Sequence, residues 1–213
     1  MRFVLPKIYP ITDRALSGLS HSEQVRRLID GGASLIQLRD KTASPVDFYN
    51  AAVEAVTLAQ SFGVSLIIND RVDIALAAGA DGVHLGQDDL PPQHARKILG
   101  PDAIIGFSTH SVEQARAAIA LPVDYIAIGP IFSTTTKTDA EPVIGLDGLR
   151  EARSVVGDRP LVAIGGINRT NVGSVLEAGA NSAALIAGIV SEPDKITTRM
   201  RELFERQHND KHR

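Results

Sequence analysis

Eight short apolar runs recur along the chain: KIYPIT near Ile8, SLIQL near Leu35, SLIIN near Leu66, GVHL near Val83, AIIGF near Ile104, YIAIG near Ile126, LVAIG near Val162 and SAALIAG near Leu185. Most are continuously apolar instead of alternating, the pattern of strands buried on both faces in a parallel sheet. Helical patterns lie between most of them. Ser20 to Glu23 reads as a capping box, followed by Val25, Leu28 and Ile29 at helical spacing. Ser44 precedes Pro45 as an N-cap before a first-turn proline, and Ser111, Asp147, Thr170 and Ser191 are further candidate starts. The phrases DGGASL, AGADGV and AGANSA place glycine just past a helix and start the next strand at once.

Strands alternating with helices predict a parallel α/β protein. An open doubly wound sheet would satisfy the alternation, but a count of eight favours a closed (β/α)8 TIM barrel, and 213 residues lie at the short end of that range. The Rossmann glycine fingerprint is missing after the first strand. No composition break divides the chain, so residues 1–213 read as a single domain whose last ten or so residues are a polar tail, a final helix that frays.

Composition narrows the function classes. Net charge is −3, aromatics make up 4% and tryptophan is absent, which argues against a nucleic-acid partner. The absence of cysteine excludes disulfides, thiol nucleophiles and thiolate metal sites. Pro6 and Lys7 interrupt the N-terminus before a signal-length apolar run, and AALIAGIV falls far short of the ~18 residues of a membrane span. The expectation is a cytoplasmic protein with no membrane partner. The sequence leaves a homo-oligomer open.

In a barrel the chemistry sits at the C-terminal ends of the strands. There the sequence places Thr12-Asp13-Arg14, then Gln37, Arg39 and Lys41 at alternate positions, Asn69-Asp70-Arg71, and His84 with Gln87, Asp88 and Asp89. Ser108-Thr109-His110, Thr134-Thr135-Thr136-Lys137, Gly165-Gly166 and Ala187-Gly188 follow. Asp70 and Asp89, on neighbouring strands, suit one hard divalent cation shared with substrate phosphates. Arg39, Lys41 and Lys137 would meet the rest of a polyphosphate. The glycines after strands seven and eight occupy the usual phosphate position of barrels. One mouth could thus hold a metal-bound diphosphate and a monophosphate. The segment GPIFSTTTKTDAEPVIG, residues 129–145, is longer than the usual two to six residues of such a connection and carries hydroxyls and a cation. His84, in an apolar strand with no partner histidine at metal spacing, reads as a hydrogen-bonded core residue. Asp73 and Asp81 read as helix-start and turn residues.

Together QLRDK (37–41), ND (69–70) with GVHLGQDD (82–89), GFSTH (106–110), GPIFSTTTK (129–137) and AIGGI (163–167) resemble the thiamine-phosphate synthase family, in order from about Ile8 to Ile189. The resemblance implies the (β/α)8 fold and a Mg2+-dependent transferase. Such an enzyme joins 4-amino-2-methyl-5-hydroxymethylpyrimidine diphosphate to 4-methyl-5-(2-hydroxyethyl)thiazole phosphate, or its carboxylate, and releases pyrophosphate. It implies that Gln37, Leu38, Arg39, Asp40 and Lys41, with Asn69, Ser108 and Lys137, hold the pyrimidine diphosphate, and that Asp70 and Asp89 bind Mg2+. Arg39, Lys41, Ser108 and Lys137 would be catalytic. Thr134, Thr135, Thr136, Gly166, Ile186 and Ala187 would hold the thiazole phosphate. Ala187 stands where family members often have serine. The alternatives are a thiazole tautomerase-like barrel, whose loop tends to carry histidine where this chain has Pro130, a phosphate-barrel isomerase of the tryptophan pathway, and a non-catalytic thiazole-phosphate-binding barrel.

Overall fold

The computed structural model describes residues 4–134 and 141–209. Eight strands form one parallel sheet: β1 (Ile8–Pro10), β2 (Leu35–Leu38), β3 (Ser65–Asn69), β4 (Gly82–Leu85), β5 (Ile104–Thr109), β6 (Tyr125–Ile128), β7 (Leu161–Ile164) and β8 (Ser182–Leu185). Their order is β1-β8-β7-β6-β5-β4-β3-β2. The bridge between Ile11 and Gln37 joins the first strand to the second and closes the ring. Beside it Thr12 N–H donates to Gln37 O (2.9 Å) and Arg39 N–H to Thr12 Oγ1 (3.2 Å). This is the closed (β/α)8 barrel that the strand count predicts, and the eight runs are its eight strands.

The helices are α1 (Arg14–Ser17), α2 (His21–Asp30), α3 (Pro45–Ser61), α4 (Val72–Ala78), α5 (Pro92–Leu99), α6 (Val112–Ala118), α7 (Gly145–Val156), α8 (Val172–Glu177), α9 (Ala187–Val190) and α10 (Ile196–Asn209). The Ser20 capping box forms, and Ser44 and Ser111 cap α3 and α6. Three expected starts shift. Asp147 lies in the first turn of α7, where its charge favours the helix dipole, and the helix begins at Gly145. Thr170 is held back by donating to Asn168 Oδ1, so Asn171 is the N-cap of α8. Ser191 ends the short α9 instead of opening a helix. The final helix continues through Asn209 and buries Met200 and Leu203.

Both faces of the sheet are buried, which is why the strands read as unbroken apolar runs. The outer face packs Ile36, Leu66, Val83, Ile105 and Ile126 under the helices. The inner face forms a separate plug of Tyr9, Ile11, Leu35, Ile67, Tyr125 and Val162, among others. At the opposite end from the mouth, the residue before each of β4, β6 and β8 ties down the start of the preceding strand. Asp81 Oδ2 accepts from Leu66 N–H (2.8 Å), Asp124 Oδ2 from Ile105 N–H (2.7 Å) and Asn181 Oδ1 from Leu161 N–H (2.8 Å). The phrases AGAD and AGAN are therefore turn and clamp at once: Asp81 lies in the turn the sequence reading gives it, and the clamp is a second part that reading did not contain.

Gly106 makes room for the plug. A Cβ there would lie 2.0 Å from Cζ of Tyr125. Gly106→Ala must displace that ring from its hydrogen bonds, and we expect a loss of about 2–3 kcal/mol, in the range of overpacked cores. A urea titration reads it as a lower midpoint at constant slope. An unchanged midpoint would mean that the ring has slack the packing does not show.

Candidate active site

The C-terminal ends of the strands surround a cavity of about 510 Å3. Of the expected residues, Gln37, Arg39, Lys41, Asn69, Asp70, Asp89, Ser108, Thr134, Gly166, Ile186 and Ala187 all line it. Gln37, Arg39 and Lys41 reach it together because alternate residues of an extended chain share a face. Leu38 and Asp40, between them, point elsewhere. Leu38 is fully buried in the outer layer. Asp40 accepts from Thr42 N–H and Ala43 N–H (both 2.9 Å) and lies 3.4 Å from His21 Nε2. Thr135, Thr136 and Lys137 lie outside the described residues.

Charge is laid out in pairs. Arg39 donates to Asp13 Oδ2 (2.9 Å), and Lys41 Nζ to Asp70 Oδ2 (2.5 Å). Asp70 has φ 64°, a left-handed conformation in which a residue with a full side chain is uncommon. Its N–H donates to His84 O (2.8 Å), which fixes the carboxylate at the junction of β3 and β4. Asp89 accepts from Gly86 N–H at 2.7 Å. Burial raises the Asp89 carboxyl above its ordinary range, and the neighbouring Asp70 carboxylate, within hydrogen-bonding reach, raises it further. Two carboxyl groups held together against their own repulsion make a fit for a hard cation, which would relieve it. Among the described residues no three His, Cys, Asp or Glu side chains gather as a metal site. Two protein carboxylates, with substrate oxygens and water completing the shell, is the donor set of Mg2+.

The opposite wall is backbone. Gly165 and Gly166 have φ of 102° and 63°. A Cβ on Gly166 would lie 2.5 Å from Ser133 O, so the turn after β7 packs directly on the loop after β6. Ile186, Ala187 and Gly188 complete this wall where α9 begins.

The floor holds what the sequence reading missed. Tyr9 and Tyr125 place their hydroxyls 3.0 Å apart, Gln37 Nε2 donates to Tyr9 Oη (3.1 Å), and Tyr125 Oη is 2.9 Å from His84 Nδ1. His84 Nε2 is 2.8 Å from Ser108 Oγ, so His84 is the hydrogen-bonded core residue expected. The available signal was that two of the chain's three tyrosines fall inside strands, where a buried phenol needs a partner. Asp13, as partner of Arg39, was likewise unassigned.

Burial pushes the His84 imidazole down to about 4, with the Asp70 charge opposing. The unfolded chain holds that ring near 6.5. Between these values the unfolded state binds more protons, so stability falls as pH drops through the window, by up to about 3 kcal/mol. The raised Asp89 carboxyl acts with the opposite sign, so the comparison that isolates the histidine is with His84→Gln. Thermal melts between pH 7 and pH 4.5 should show a steeper decline in the wild type than in that variant. Parallel declines would deny the histidine this part.

Residues 8–189 match the family model described as thiamine monophosphate synthase. The chain is 45% identical over 202 residues to the thiamine-phosphate synthase of Syntrophomonas wolfei, covering 93% of this chain and 96% of that protein. It is 48% identical over 189 residues to the synthase of Clostridium novyi, covering 88% and 92%. Among solved structures it is similar to a thiamine phosphate pyrophosphorylase from Pyrococcus furiosus, with a TM-score of 0.86 and 37% identity over 95% of this chain and 96% of that one. With eight parallel strands closed around this mouth and nearly the whole chain matched, the protein belongs to the thiamine-phosphate synthase family.

Proposed function

We propose that the protein joins 4-amino-2-methyl-5-hydroxymethylpyrimidine diphosphate to 4-methyl-5-(2-hydroxyethyl)thiazole phosphate, or its carboxylate, giving thiamine phosphate and pyrophosphate. The observation that carries this reading is the pairing of Asp70 and Asp89 with Arg39 and Lys41 around one cavity whose far wall is the glycine turn. A cavity for a monophosphate alone would not need the carboxylates.

The pyrimidine diphosphate lies on the β2–β5 side. Gln37 and Asn69 orient the ring, and Arg39, Lys41 and Lys137 hold the diphosphate. Asp70 and Asp89 would hold Mg2+, which when bound would neutralise charge on the leaving pyrophosphate. The Lys41–Asp70 pair opens as the diphosphate arrives, since Lys41 then has phosphate oxygens to meet. The methylene C–O bond breaks with its electron pair leaving on pyrophosphate, and the electron-rich aminopyrimidine bears the positive charge. The thiazole nitrogen then donates its lone pair to form the new C–N bond. No protein nucleophile is needed. The residues contribute charges aimed at the departing oxygen and a surface that keeps water from the cation. The thiazole phosphate is held by Thr134, Thr135 and Thr136 and by main-chain N–H groups at Gly166 and Ala187. If the main chain is the donor at position 187, alanine serves there as well as serine.

The test incubates purified protein with both substrates, with and without Mg2+, and assays thiamine phosphate and pyrophosphate. Equal, Mg2+-dependent yields are expected. Bound thiazole phosphate with no product would favour a binding or tautomerase-like role.

A further inference from the structure

Beneath the cavity, five residues from five strands form an unbroken row of hydrogen bonds across the barrel: Gln37 (β2), Tyr9 (β1), Tyr125 (β6), His84 (β4) and Ser108 (β5). All but Ser108 are buried. The His84 ring stacks on Tyr125 at 5.5 Å and 18°, and Tyr9 meets Tyr125 edge-on at 5.9 Å. An apolar plug would fill this volume without polar groups to satisfy, so the row calls for a reason beyond packing.

Its polarity supplies one. Gln37 Nε2 can only donate, so the Tyr9 oxygen accepts there, and the buried Tyr9 proton needs an acceptor that the Tyr125 oxygen, 3.0 Å away, would supply. Tyr125, accepting from Tyr9 in that arrangement, would donate its own proton to His84 Nδ1, 2.9 Å away. The neutral imidazole then carries its hydrogen on Nε2 and donates to Ser108 Oγ. With its oxygen occupied from below, Ser108 has its own O–H to offer upward. Gln87 Nε2, donating to Ser108 O at 2.5 Å, holds the main chain of that residue in place. We propose that Tyr9, Tyr125 and His84 are positioning residues that set Ser108 as a hydrogen-bond donor into the cavity, aimed at an acceptor atom of the pyrimidine diphosphate. The identity of that acceptor's molecule rests on the function proposed above; the direction of the Ser108 proton does not.

Two measurements on the full-length protein test it. Nitrogen-15 NMR of uniformly labelled protein, with the His84 signals assigned by their loss in His84→Gln, should show a protonated Nε2 and a bare Nδ1. The opposite tautomer would reverse the row and overturn the proposal. This readout needs no substrate, so it decides the polarity even if the wild type forms no thiamine phosphate, the result that would sink the synthase reading alone. In the kinetic arm, Tyr125→Phe should lower kcat about tenfold with the KM for thiazole phosphate within about twofold. In a Ser108→Ala background the same change should cost less than about twofold, because its route is already cut. An equal loss in both backgrounds would make Tyr125 a support of the fold, and an unchanged kcat would remove it from the reaction; either overturns the proposal.

Discussion

Replacing Asp70 and Asp89 together with asparagine should lower thiamine phosphate formation by at least about a hundredfold, the scale seen when a charge-stabilising group is removed from an active site. The fold should survive. Asparagine is among the residues that best tolerate the left-handed backbone, so position 70 keeps its φ of 64°. At position 89 the change removes a carboxyl that burial and Asp70 already disfavour in its charged form. Melting temperature should therefore stay level or rise while activity collapses, separating chemistry from stability in one protein. Added Mg2+ should not rescue the variant, and thiazole phosphate should still bind. A double variant that turns over normally in Mg2+ would place the metal away from these carboxylates.

The second large effect is expected on the opposite wall. Gly166→Ala would put a Cβ 2.5 Å from Ser133 O and 2.7 Å from Phe132 Cβ, at a φ of 63° that disfavours any side chain. Either the turn after β7 or the loop after β6 must yield, and both line the proposed monophosphate site. The KM for thiazole phosphate should rise by more than about tenfold, because a displacement of an ångström there misplaces the nucleophile. Calorimetric affinity for the pyrimidine diphosphate should change little. If the KM for thiazole phosphate holds steady, the monophosphate sits elsewhere.

The barrel and its mouth were legible because they follow from coarse rules. Runs buried on both faces lose their alternation, and polar residues clustered after such runs mark one end of the ring. Arg39, Lys41, Asp70 and Asp89 were found that way. The same loss of alternation hid the floor, since YIAI gives no sign that Tyr125 and Ala127 face inward while Ile126 and Ile128 face the helices. Ion pairing was hidden for another reason. The pairs Arg39–Asp13 and Lys41–Asp70 span 26 and 29 residues; pairing of β2 with β3 brings the second together, and closure of the ring between β1 and β2 the first. Thr170 was misplaced by one residue because Asn168 competes for its hydroxyl, a local choice that spacing alone does not settle.

Seven strand junctions of the barrel are ladders of three or four paired residues. Among the described residues the eighth, between β1 and β2, rests on the one bridge from Ile11 to Gln37. A fold breathes first where the fewest amides are held, so this barrel behaves as a split ring with one sprung joint. Gln37 and Arg39 lie on one lip and Tyr9, Thr12 and Asp13 on the other, linked across the gap by side chains. A ligand that grips the β2 lip from above thus acts as a clasp on the ring itself. Amide exchange along β1 and β2 would then report occupancy of the mouth more sensitively than exchange in any other strand.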